Sequence, residues 1–337
     1  MTQKELPLVT CSGTPREMGR QYGEQAASAI ACNISSFAIQ RDQTMLCAMQ
    51  RTLDKYAPEI LEELEGMAEG SGIDFELLLS YNHWELASAE GERCTVLLLH
   101  SRDAGLLVAK NNDSPPDEDG KFLIRQGKRS NGLPFTQVTY AGLLSGLDMA
   151  NAAGLCNTHG SVGSCFARTG DRLDIRLRLY QLMQTCQTVD ELLSGLKAVP
   201  LTGKGFSIGM GDKSGHSLIL DAAVPFLGER DENKTFTFST NLYEYPGLEN
   251  ADRRLPASRH ICLFRNGFLK WQAQTEPPET LDDLQKITSS HAPWALCRHG
   301  GVHSSITDWS VIFQPQRGKA LVAHGSPCRT PYREISL

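Results

Sequence analysis

Cys94-Thr95-Val96-Leu97-Leu98-Leu99 is followed by Ser101-Arg102-Asp103-Ala104-Gly105, then by Leu106-Leu107-Val108-Ala109 and Lys110-Asn111-Asn112-Asp113. Two short apolar runs parted by Asp and Gly spell a β-hairpin, because those turn residues accept a tight backbone and the runs suit a buried ladder. With the turn centred between Asp103 and Ala104, Cys94 falls opposite Asp113, roughly 5 Å away between Cα atoms. A register shifted by one residue is the alternative. A thiol facing a carboxylate at the open end of a hairpin suggests a nucleophile with an orienting partner.

Outward from the hairpin, the composition limits the functional classes. The chain has 337 residues, 40% hydrophobic and 21% charged, which suits a folded globular protein. Its net charge of -6 argues against nucleic acid or an anionic membrane as partner, since both need basic patches. Met1-Thr2-Gln3-Lys4-Glu5-Leu6-Pro7 has no apolar core of a signal peptide, and no uninterrupted apolar run of ~18 residues predicts a membrane span. Ten cysteines without an export signal point to a reducing, cytoplasmic setting in which most thiols are inert small hydrophobes.

Residues 1–93 read as mainly helical. Pro15 opens a helix whose apolar face carries Met18, Tyr22, Ala26, Ala29 and Ile30. Pro58 opens another that ends at Gly70-Ser71-Gly72, and a third spans Phe75 to Trp84. Beyond Cys94 the texture turns to strands, expected at 95–100, 105–110, 134–140, 143–148, 205–211, 216–221, 235–240, 308–314 and 319–324. Helices are expected near 172–185, 188–198 and 281–289. Asp113 to Gly120 reads as a surface loop at the site mouth, within a longer mouth segment, 113–133. Strand blocks flanked by helical blocks fit sheets covered by helices.

Five further segments accompany the hairpin in order: Gly13-Thr14-Pro15-Arg16-Glu17-Met18-Gly19-Arg20-Gln21-Tyr22-Gly23-Glu24, Glu62-Glu63-Leu64-Glu65-Gly66-Met67-Ala68-Glu69-Gly70-Ser71-Gly72, Ser239-Thr240-Asn241, Cys297-Arg298-His299, and Ala323-His324-Gly325-Ser326-Pro327-Cys328. Together they resemble, over nearly the whole chain, the isopenicillin N acyltransferase-like family of cysteine N-terminal-nucleophile (Ntn) hydrolases. Members cut their own chain just before a Cys followed by Thr. The resemblance implies an α+β fold, a four-layer α-β-β-α sandwich. It implies a cut between Arg93 and Cys94, giving a helical segment 1–93 and a catalytic core 94–337 that stay associated as one structural domain. It implies no cofactor and a small-molecule amide or acyl donor as substrate.

The chemistry of such a cut is self-consistent. A thiol attacks a carbonyl as thiolate, and a free Cys at pKa ~8.5 is mostly protonated at neutral pH. Freed at Cys94, an α-amino group of pKa ~7.7–8 supplies a base attached to the nucleophile itself. Asp113 is expected to hold that amine. Asn241 is implied as oxyanion donor, although Leu242 stands where the family pattern has His. Lys110 stands where members often carry Arg, and lacks the bidentate fork. Thr95, Asp252 and Arg298 are supporting candidates, the last two as a charged network behind Asn241, with Asp252-Arg253-Arg254 reading equally as a surface salt-bridge cluster.

Two other signals are weaker. Cys297, His299 and His303 have metal-like spacing, but Gly300-Gly301 interrupts them and no second Cys/His pair is visible to complete four ligands, so no metal is expected. Gly203-Lys204-Gly205 and Gly209-Met210-Gly211 lack the rest of a phosphate loop. Two rival readings stay open. One is a thiol hydrolase that never self-cleaves and takes His100, His159 or His324 as base. The other is an unprocessed single chain that binds a small metabolite or partner without catalysis; a bulky Arg93 before the cut keeps it alive.

Overall fold

Capping fixes where the first long helix begins. The Thr14 side chain accepts from the Glu17 N–H, the Glu17 carboxylate accepts from the Thr14 N–H, and Pro15 takes the first helical position. The computed structural model describes residues 6–83, 94–114, 121–166, 169–231, 234–291, 296–300 and 305–337, the side chains of 257 and 258 aside. In chain order the elements are β1 (Leu8–Gly13), α1 (Pro15–Ser36), α2 (Gln43–Tyr56), α3 (Pro58–Ser71), α4 (Phe75–His83), β2 (Thr95–Ser101), β3 (Gly105–Ser114), β4 (Phe122–Arg129), β5 (Phe135–Tyr140), β6 (Met149–Asn151), β7 (Cys156–Ser161), β8 (Leu173–Asp174), α5 (Ile175–Met183), α6 (Val189–Lys197), β9 (Leu201–Thr202), β10 (Phe206–Gly211), β11 (Ser217–Ala223), β12 (Phe226–Arg230), β13 (Phe236–Ser239), α7 (Pro256–Thr275), α8 (Leu281–Thr288), β14 (Ile306–Gln314), β15 (Lys319–His324) and β16 (Arg333–Ser336).

Two sheets carry the fold. One runs β1-β4-β5-β6-β7-β10-β11-β12, and the other β13-β2-β3-β14-β15-β16. They stack face to face, with Leu98, Leu106 and Val108 packed in one cluster with Ile124, Val138 and Ile219. Outside the first sheet lie α1, α3 and α5, whose Met18, Leu64 and Leu179 share a cluster with Leu123 and Phe206. Outside the second lie α7 and α8, whose Leu269, Leu284 and Ile287 cover Leu97, Leu99 and Leu107. The layer order is helix, sheet, sheet, helix, as expected. It also explains why β2 lacks polar alternation: Leu98 faces the opposite sheet while Leu97 and Leu99 face helices.

The structure corrects several expected elements. β3 extends through Ser114, because Asp113 and Ser114 pair with Thr307 and Ile306 of β14. Asp113 and Ser114 of the expected loop are therefore strand, and its remaining residues, 115–120, lie outside the described ones. The longer mouth segment contains β4. Residues 143–148 are not a strand but a buried connection ending at Asp148, whose φ is +53°. β1, β4, β6, β7, β8, β9, β12, β16, α2 and α7 have no counterpart among the expected elements. β1 joins the sheet edge beside β4 in parallel, a pairing that connects residues more than a hundred positions apart.

α1 and α3 cross backbone to backbone. A Cβ on Gly19 would sit 1.9 Å from the Glu63 carbonyl oxygen, and one on Gly66 would sit 2.0 Å from that of Arg16. Backbone cannot yield as a flexible side chain does, so overpacking here is costly. Gly66→Ala is expected to lose about 1–3 kcal/mol of stability in denaturant unfolding. Gly267→Ala, on α7 with open space around its notional Cβ, is expected to be neutral or slightly stabilising. Equal midpoints for the two variants would contradict the close crossing.

Candidate functional site

The hairpin turn sets the site's geometry. Ser101 pairs with Gly105, so the loop holds three residues and centres on Asp103 rather than between Asp103 and Ala104. Gly105 has φ +75°, the left-handed residue that closes such a loop. Thr95 consequently pairs with Asn111 and Val96 with Lys110. Continued by one step, Cys94 faces Asn112, not Asp113. The Cys94 thiol points to Asn112 Oδ1 at 3.6 Å. Because strand neighbours alternate faces, the one-residue shift sends the Asp113 carboxylate to the other side of the sheet.

There Asp113 is held by the C-terminal part of the chain. Its Oδ1 accepts from Thr307 Oγ1 at 2.6 Å, and its Oδ2 lies 3.3 Å from Arg298 Nε. Burial pushes the Asp113 carboxyl up against the opposing pull of Arg298 and Arg265. Arg298, expected behind Asn241, is thus the partner of Asp113. Asp252 does sit behind Asn241: it pairs with Arg254 at 2.6 Å, and the Arg254 guanidinium donates to the Asn241 carbonyl. This is a buried pair and not a surface cluster, with side chains 1% and 2% exposed.

Asn241 follows β13 and lies, by continuation of the Ser239–Val96 pairing, beside Cys94. Its φ is +61°, which Asn tolerates better than most side chains. Its Nδ2 donates to the Ser161 carbonyl at 2.7 Å. Its Oδ1 accepts from Arg265 Nη2 at 2.8 Å, while Arg265 Nη1 donates to the Cys94 carbonyl and to Thr95 Oγ1, each at 2.8 Å. One fully buried guanidinium from α7 therefore ties together Cys94, Thr95 and Asn241. No local motif marks Arg265; the only hint is an isolated charge in Cys262-Leu263-Phe264-Arg265.

On the face between the sheets, Lys110 Nζ meets Asp148 Oδ2 at 2.7 Å and His159 Nδ1 at 3.1 Å. Asp148 Oδ1 also accepts from the His159 N–H at 3.1 Å. Burial raises the Asp148 carboxyl, but His159 and Lys110 outweigh it and hold the group below its ordinary value. Of the other histidines weighed as bases, His100 bonds Ser217 Oγ and His324 packs edge-on against Phe122. Only His159 shares a cavity with Cys94. Arg93 lies outside the described residues, as does His303.

That cavity is lined by Cys94, Asn112, Asp113, Tyr140, Asp148 and His159 with Phe37, Leu143, Leu147 and Trp309. A nucleophile candidate, ionisable groups and apolar walls meet in one place, which suits a small molecule carrying an apolar part and a polar linkage. Among the described residues no helix is long and apolar enough to cross a membrane.

No family model matches the chain, and no curated protein matches it. Among solved structures, a mutant of conjugated bile acid hydrolase from Clostridium perfringens is similar at 13% identity, covering 72% of this chain and 92% of its own, with a TM-score of 0.45. A second variant of that hydrolase is similar at 12% identity with the same coverages and a TM-score of 0.40. The Caenorhabditis elegans N-acylethanolamine-hydrolyzing acid amidase ortholog is similar at 11% identity, 66% and 93% coverage, and a TM-score of 0.44.

Asp308 of β14 stands at the edge of this region, accepting from Tyr140 Oη at 3.1 Å and from Ser114. Burial, aided by the nearby Asp113 charge, pushes its carboxyl up to about 6 against those hydrogen bonds. The folded state then binds more protons than the unfolded chain between the ordinary carboxylate range and about 6. The cost of ionising Asp308 grows as pH rises through that window and is absent below it. Relative to wild type, Asp308→Asn should gain about 1–3 kcal/mol in unfolding free energy on going from pH 4 to pH 8. A difference between the two proteins that does not change with pH would refute the raised value.

Proposed function

We propose that this chain is a self-processing cysteine Ntn hydrolase that cleaves an amide or thioester of a small acylated metabolite. The observation that carries the reading is the grip of Arg265 on Cys94, Thr95 and Asn241 at the head of the hairpin, with the Cys94 thiol on the cavity wall. Cleavage between Arg93 and Cys94 would free the amine. The helical segment 1–93 would stay bound through the α1 and α3 faces packed on the first sheet.

In the proposed reaction the Cys94 thiol gives its proton to its own amine, and the sulfur attacks the substrate carbonyl carbon. The carbonyl electron pair moves to oxygen, where Asn241 Nδ2 offers its second N–H while the first stays on Ser161. Collapse breaks the bond to the leaving group, which takes the proton from the Cys94 ammonium. Water attacks the resulting thioester to release the acid, or an acceptor amine takes the acyl group; either regenerates the thiol. Thr95 and Arg265 are positioning residues in this scheme, and Asp252 acts through Arg254. Asp113, turned away from the thiol and paired with Arg298, fixes the hairpin end beside Asn112, and Lys110 orients Asp148 and His159 on the cavity's inner wall.

His159 supports a second reading, a thiol hydrolase that stays whole and draws its base from the His159–Asp148 pair. Intact-mass measurement of the purified protein separates the two. Self-processing gives fragments 1–93 and 94–337 without added protease, and Cys94→Ala stays whole. A wild-type chain that remains whole while His159→Ala abolishes turnover of an amide or thioester substrate would overturn the Ntn reading.

A second measurement addresses Asn241. On processed protein, Asn241→Ala is expected to lower turnover ~10²–10³-fold with substrate binding little changed, because the donor acts on charge that develops in the transition state. Fragment masses identify variants that failed to mature. Near-normal turnover in matured Asn241→Ala would remove this amide from the oxyanion site.

A further inference from the structure

The C-terminal third of the chain gathers a second set of reactive side chains, apart from the Cys94 cavity. His291, Cys297, His299 and Cys328 each bring one donor atom to a common point, all four within 4.8 Å of one another. The spacing within Cys297-Arg298-His299 shows only half of this set; His291 precedes it and Cys328 arrives from beyond β15. His299 Nε2 lies 2.9 Å from His291 Nε2, 3.2 Å from Cys328 Sγ and 3.8 Å from Cys297 Sγ. Donor atoms bound tetrahedrally to zinc at ~2.0–2.3 Å stand roughly 3.3–3.8 Å apart. The observed separations bracket that range.

We propose that these four residues form a Cys₂His₂ site for zinc. The donor set is soft and tetrahedral in number, which selects zinc over the oxygen-loving divalent cations. The orientation of His299 supports it. Its Nδ1 lies 3.2 Å from Ser326 Oγ, and that hydroxyl already donates to the Arg298 carbonyl at 3.0 Å. The hydroxyl is left to accept, so His299 Nδ1 carries the proton and Nε2 presents a lone pair toward the two sulfurs and the second imidazole. An outer hydrogen bond that fixes the tautomer in this way is the usual companion of a metal-bound histidine. Four protein ligands leave no open position, so the site is structural rather than catalytic. It ties the segment after α8 to the turn after β15, and between two of its ligands sits Arg298, the partner of Asp113.

The test loads full-length protein with zinc under reducing conditions, removes excess metal by gel filtration and measures bound zinc, with cobalt substitution as a spectroscopic check. Wild type is expected to hold about one zinc per chain and to show thiolate-to-cobalt charge transfer with tetrahedral d–d bands. His291→Ala and Cys328→Ser change surface residues and are expected to lose most of the metal while remaining folded by circular dichroism. Cys165→Ser, an exposed cysteine outside the cluster, is expected to retain it. No stoichiometric zinc in folded wild type, full retention in both ligand variants, or a Cys297–Cys328 disulfide in freshly purified reduced protein would overturn the site.

Discussion

A guanidinium shut off from water must find its hydrogen-bond acceptors inside the protein, because the desolvation of an unpaired charge is far larger than any single contact can offset. Arg265 meets this demand with the Cys94 carbonyl, Thr95 Oγ1 and Asn241 Oδ1. These acceptors belong to two neighbouring strands and the residues at their ends, so satisfying one side chain fixes where β2 and β13 begin and stop. A lysine could not do the same, since a point charge lacks the rigid fork that reaches two strands at once. The amide of Asn241 is oriented by the same contact: with Oδ1 taken by Arg265, Nδ2 must point toward Ser161 and the opposite sheet.

Around this contact lie three buried ion pairs: Lys110 with Asp148, Asp113 with Arg298, and Asp252 with Arg254. Buried pairs are poor evidence of net stability, but removing one partner costs about 3–5 kcal/mol because a charge is left unpaired. Their arrangement follows from the hairpin. Residues 110 and 112 face the opposite sheet, whereas 111 and 113 face the other way: Lys110 reaches Asp148, while Asn111 donates to the carbonyls of Thr288 and Leu296. An odd loop rather than an even one decides which residue meets the thiol.

That parity shows how far the sequence could be read. The hairpin and eight of the fifteen described strands after Cys94 were legible because apolar runs and turn residues act locally, whereas the four-layer order was implied by the family resemblance and not by local pattern. The register was not, because two- and three-residue loops share the same Gly and Asp vocabulary and differ only by one position. Arg265 was not legible either: the site acceptors it ties together lie 24 to 171 residues away, and nothing in an α-helical repeat distinguishes a buried arginine from an exposed one. Asp148 was hidden inside a segment that reads as a strand until its positive φ breaks it. β1 was missed because a short strand at a sheet edge carries a weak pattern and depends on a distant partner.

Cys297-Arg298-His299 joins the two halves of the site. The segment pairs with the start of β14: His299 bridges Ile306, the Arg298 N–H donates to Thr307 Oγ1 at 2.9 Å, and the Thr307 N–H donates to the Arg298 carbonyl at 3.1 Å. Extended backbone sends successive side chains to opposite sides. Cys297 and His299 therefore share one side, toward His291 and Cys328, and Arg298 takes the other, toward Asp113. Thr307 closes the circuit, since its hydroxyl accepts from the Arg298 N–H and donates to Asp113. Any displacement of this three-residue strip moves the Arg298 charge relative to Asp113, next to the residue that faces Cys94. Three consecutive side chains thus place the C-terminal cluster and the hairpin end under one geometric constraint.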